Sequence, residues 1–130
     1  MLRILSSILM CVMMCACERR EELAPPDQSY VVRARIVEMP RSDAFLQLHH
    51  AAIPEFQDRN GKVVGMKEMV MEFPGLSSEV ETGMTNFASG DAVEVSFEVR
   101  WTTDPRLLVT KMTKLPHEAD LGLKKTLEPK

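Results

Sequence analysis

Met69 and Met71 stand two residues apart in the segment Gly65-Met66-Lys67-Glu68-Met69-Val70-Met71-Glu72-Phe73. On a β-strand, residues two apart project from the same face, with Cα atoms roughly 6.5–7 Å apart. Two flexible thioethers at that spacing can converge on one ion. Thioether sulfur is soft and neutral, so it selects copper(I) over harder cations. It needs no deprotonation and forms no disulfide, which suits an oxidising compartment. A thioether pair alone binds weakly. His50 is the natural third donor, because an imidazole nitrogen also takes copper. A plainer use exists for the same residues. Methionine on a strand face is commonly core filler, and paired histidines such as His49-His50 commonly face solvent. Spacing and composition do not decide between the two uses.

The elements that would position these residues read as short strands. Tyr30 to Glu38 is rich in Val and Ile, with Val32, Ala34 and Ile36 on one face. Pro40-Arg41-Ser42-Asp43 reads as a turn. Phe45 to His50 forms a second strand, with Leu46, Leu48 and His50 on one face and Phe45, Gln47 and His49 on the other. Met69 to Phe73 is a short strand ending at Pro74-Gly75. Val93, Val95, Phe97 and Val99 alternate with Glu94, Ser96, Glu98 and Arg100, and Leu107 to Leu115 is the last strand. About five strands with few helical patterns predict an all-β chain: a small five-stranded antiparallel barrel of the OB type. Residues 117–130 read as a polar tail, disordered or a short helix. His49 is expected at the surface, as are the carboxylates of Glu55, Glu68 and Glu72, and His117 takes no role.

The N-terminus places the chain outside the cytoplasm. Arg3 is followed by an uncharged apolar run from Ile4 to Met14, too short to span a bilayer but fitting a signal-peptide core. Met14-Cys15-Ala16-Cys17 resembles a bacterial lipobox, with Met14 where leucine is usual. The resemblance implies a signal peptide over 1–16, cleavage before Cys17 and lipid on its thiol. An ordinary secretory signal cut near Ala16 is the alternative. Residues 17–29 then form a flexible tether, and 30–116 the folded domain. Of three cysteines, Cys11 and Cys15 fall in the removed segment and Cys17 is lipidated, so the fold has neither disulfide nor thiolate site. Removing one Arg and no acid takes the net charge from −3 to −4, a poor field for nucleic acid. The membrane is reached through the lipid alone. There is no spacing of Ser, His and Asp for hydrolysis and no phosphate loop, so an enzyme is not expected.

Three motifs in order resemble the CusF-like family of periplasmic copper-binding proteins. His49-His50-Ala51-Ala52-Ile53-Pro54-Glu55-Phe56 is similar to that family's His-His-Glu-Ala-Ile-Pro-Glu-Leu. Met69-Val70-Met71-Glu72-Phe73 is similar to its Met-Thr-Met-Arg-Phe, and Gly90-Asp91-Ala92-Val93 to its Gly-Asp-Lys-Val. The resemblance covers about residues 30 to 116. It implies an OB-like barrel whose copper(I) ligands are His50, Met69 and Met71. It also implies delivery of copper to an efflux system or a copper-enzyme assembly factor. Silver(I), equally soft, is expected to compete, and a monomer is expected. Two departures stand out. Residues 57–65 look inserted and read as an extended loop or hairpin beside the site. The family's tryptophan, three residues before the first methionine, is replaced by Met66, which is either a further thioether ligand or a shield. Trp101, the sole tryptophan, is assigned to packing. Two rival readings remain. One is an OB-type module for oligonucleotides or saccharides, which lacks the basic groove and stacking aromatics such sites need. The other is a structural lipoprotein whose methionines are core.

Overall fold

The computed structural model describes residues 25–124. The expected signal segment 1–16 and the lipidation site Cys17 lie outside the described residues, as do most of the expected tether and the end of the tail. The chain is predominantly β. Its strands are β1 (Gln28–Glu38), β2 (Leu46–His50), β3 (Met69–Phe73), β4 (Gly75–Leu76), β5 (Ala92–Val99) and β6 (Leu107–Lys114). They form one curled, half-barrel sheet in the order β3-β2-β1-β5-β6-β4. All neighbours are antiparallel except β4 and β6, which are parallel.

Period-two alternation places the core. Tyr30, Val32, Ala34 and Ile36 of β1 face inward, as do Leu46 and Leu48 of β2 and Val93, Val95, Phe97 and Val99 of β5. Tyr30 stacks on Phe56 (centroids 5.1 Å), and Phe73 meets Phe97 edge-on at 5.3 Å. The register of β1 shifts between Ile36 and Glu38, where one extra residue enters opposite β2.

Six strands stand where the sequence predicts five. The extra one is β4, separated from β3 by Pro74 alone. Proline has no N–H to donate, so it interrupts a ladder. The chain turns there from pairing with β2 to pairing with β6, at the opposite edge of the sheet. Gly75 makes this approach feasible. A Cβ there would lie 2.4 Å from Pro105 Cγ and 2.6 Å from the Leu107 carbonyl oxygen. A short helix that the strand pattern does not reveal follows, α1 (Ser78–Gly83). Its start is capped by the Ser77 side chain, which accepts from the Val80 N–H.

Residues 53–66 form a hairpin. Ile53 bridges Met66, Gln57 bridges Val63, and Asp58 Oδ1 accepts from the N–H groups of Asn60 and Lys62. Tyr30 Oη accepts from the Gln57 N–H at 2.9 Å and anchors the hairpin to β1. Trp101 packs edge-on against Phe56 at 6.3 Å, and its Nε1–H donates to Gln28 at the start of β1. His50 pairs with Ala34, six residues further along β1, a span on the order of 20 Å. Trp101 is therefore a packing residue.

Candidate metal centre

The β2–β3 ladder positions the three donors. His50 is paired with Met69, Leu48 with Met71, and Leu46 with Phe73. Directly opposed residues on an antiparallel pair share a face with Cβ atoms about 4.5–5.5 Å apart, and diagonal neighbours are about 7–8 Å apart. His50 thus has Met69 opposite and Met71 on the diagonal. All three project from the face that Leu46, Leu48 and Phe73 bury in the core.

His50 is fully buried, at 0 % exposure. Its Nδ1 lies 2.7 Å from the Ala51 carbonyl oxygen. A carbonyl only accepts, so Nδ1 carries the hydrogen, and Nε2 is left with its lone pair. That Nε2 is buried without a hydrogen-bond partner. An unsatisfied buried acceptor costs about 1–3 kcal/mol, and satisfied groups are the rule in folded proteins. Burial is the main influence holding the imidazole below its usual value of 6.5. The Ala51 carbonyl opposes this shift, His49 adds to it, and Glu68 opposes it. The ring is therefore neutral at pH 7, the form that ligates a metal.

The methionines differ in depth. Met71 is half-buried and packs against the core, whereas Met69 is 44 % exposed at the rim. Met66 lies off the ladder. It pairs through its backbone with Ile53 (N···O 2.8 and 2.9 Å) at the base of the hairpin, half-buried against the core. The ladder therefore brings together His50, Met69 and Met71 and does not include Met66. Among the described residues, no three His, Cys, Asp or Glu side chains cluster as a metal site. Any donor set drawn from these three residues would be one imidazole with two thioethers, which suits a soft ion.

His49 and Glu68 correct the sequence reading. His49 does point away from His50, but it is buried rather than at the surface. Glu68, expected in solvent, is 8 % exposed, and its Oε2 lies 3.0 Å from His49 Nε2. The other oxygen, Oε1, accepts from the backbone N–H of Lys124. The polar tail covers this side of the sheet: Leu121 is 5 % exposed, and Arg33 Nη1 donates to the Asp120 carbonyl at 2.8 Å. Leu121 and Leu123, a closely spaced apolar pair inside a mostly polar segment, are the available signal. Glu55 and Glu72 are exposed, as expected, and so is His117.

No family model, curated protein or solved structure matches the chain.

Proposed function

We propose that the protein is a copper(I) carrier: it binds one ion through His50, Met69 and Met71 and passes it to another copper protein. The observation that carries this reading is the His50 Nε2 lone pair, buried and unpartnered on the face it shares with both thioethers. A soft cation would satisfy it without bringing a second charge into the core. The exposed Met69 thioether suits ligand exchange, since an incoming donor can approach the rim before His50 lets go. Met66 is held in reserve as a further thioether on the hairpin base. Silver(I) would compete for the same donors.

The strand order supports an OB-like reading of the barrel. If β3 and β4 are taken as one strand bent at Pro74, five strands follow one another around the sheet and the bent strand meets both edges. The N-terminal signal and Cys17 support a lipid-anchored protein of the periplasm, acting as a monomer with an efflux system or an assembly factor as recipient. No catalytic step is required of it.

A second reading has one observation in its favour: Met66 and Met71 pack against the core, as they would in a structural lipoprotein. An anaerobic titration with copper(I) against a chromogenic chelator separates the two. One equivalent of tight binding, lost in His50→Ala and in Met69→Ser, supports the carrier. A wild-type chain unable to outcompete a weak chelator removes it.

A further inference from the structure

The face of the sheet opposite the proposed donors is braced by the end of the chain. After β6, residues 116–124 turn back across three neighbouring strands. On β1, Arg33 Nη1 donates to the Asp120 carbonyl at 2.8 Å. At the end of β2, Gly122 lies against Ala51: a Cβ on Gly122 would stand 3.7 Å from that of Ala51. At the start of β3, the Lys124 N–H donates to Glu68 Oε1. The segment holds its own shape through Ala119 N–H to the Pro116 carbonyl and Gly122 N–H to Asp120 Oδ1, both 2.9 Å, and it buries Leu121.

Glu68 is the point at which this brace meets the site. It directly precedes Met69, and its partner His49 directly precedes His50. The His49–Glu68 contact therefore clamps, from behind, the rung on which His50 faces Met69. One carboxylate joins β2, the entry to β3 and the returning tail. We infer that residues 116–124 are a strap whose docking on Glu68 holds β3 against β2 and sets the rate at which the copper site opens. The inference rests on the copper reading for its function, with Glu68 as a positioning residue. With the strap seated, the clamp works in a dry environment, where polar contacts are strong. With the strap lifted, water reaches Glu68, the clamp weakens, and the Met69 end of β3, a terminal strand of the sheet order, is held by the β2 ladder alone, far from the Phe73 end anchored in the core. A recipient that displaces the strap would thereby loosen the donor set it is about to receive from.

The 3.7 Å separation permits a direct test, since bridged cysteines have Cβ atoms about 3.8 Å apart. Ala51→Cys with Gly122→Cys is made in the full chain carrying Cys11→Ser, Cys15→Ser and Cys17→Ser. The same background with Gly122→Cys alone controls for the φ of +68° at that position. Two quantities are read: release of copper(I) to excess chelator, and amide hydrogen exchange at Met69 to Met71. The oxidised variant is expected to slow both relative to the cysteine-free parent chain, the reference chosen because reduced thiols at these positions would themselves take copper(I). Leu121→Ser and Glu68→Gln are expected to speed both by about tenfold, the low end of what lost outer support costs a metal site. Equal release and equal exchange in the oxidised variant and in the cysteine-free parent chain would overturn the strap. If the wild-type chain binds no copper(I), the carrier reading fails, and the exchange data alone still decide whether the strap braces β3.

Discussion

His50 lies directly opposite Met69 across the β2–β3 ladder, and its Nε2 is buried on that shared face without a partner. A neutral acceptor held in this way is costly to the fold and useful to a ligand. Replacing it should therefore separate stability from binding. His50→Leu removes the unsatisfied nitrogen while keeping much of the volume. The variant also loses the Nδ1–H bond to Ala51, so its stability is expected to lie within about 1 kcal/mol of the wild type, yet it should bind no copper(I). Urea denaturation and chelator competition on the same preparation check both halves. A loss well beyond the roughly 1 kcal/mol that the Nδ1–Ala51 hydrogen bond is worth would mean that Nε2 has a structural partner.

The two methionines should behave differently, because their depths differ. Met69→Ser, at an exposed rim position, is expected to change stability by less than about 0.5 kcal/mol. It should nevertheless weaken copper(I) binding at least as much as Met71→Ser. Met71 packs against the core, so Met71→Ser should cost about 1–2 kcal/mol as well. Equal destabilisation by both with unchanged affinity would favour the structural reading.

Acid should destabilise the metal-free protein through His50. Its folded pKa lies below the unfolded value of 6.5 because burial disfavours the cation. Between the two values the unfolded chain binds more protons, so stability rises with pH across that window. The contribution is fully present above 6.5 and is lost as pH falls through the window toward the folded pKa. Unfolding free energies measured from pH 7 down to pH 5 should decline, and His50→Leu should flatten the decline. Identical slopes would assign the effect to other groups.

Gly75→Ala tests how the chain crosses from one sheet edge to the other. The added methyl would meet Pro105 Cγ at 2.4 Å and the Leu107 oxygen at 2.6 Å, and the latter is backbone that yields poorly. A loss of about 1–3 kcal/mol is expected, with faster hydrogen exchange at the β4–β6 pair. Wild-type stability would mean that β4 docks loosely.

Strands β1, β2 and β5 were legible because they repeat apolar residues with period two, and Met69–Phe73 was readable to the residue. That the proposed donors share faces was legible for the same reason. Two methionines at i and i+2 must share a face, and so must Leu46, Leu48 and His50. The sequence by itself therefore determined which side chains travel together on each strand. It left open which strands pair and what lies behind them. Only the tertiary structure decided that Met69 falls opposite His50, because register is a relation between segments distant in sequence. It also decided that Pro74 splits a strand into β3 and β4. The fates of His49 and Glu68 were illegible for a related reason. Alternation separates one face from the other, but it names the outer face as solvent only if nothing folds back over it. Here residues 116–124 do fold back, about fifty positions after Glu68, and they turn two expected surface residues into a buried clamp.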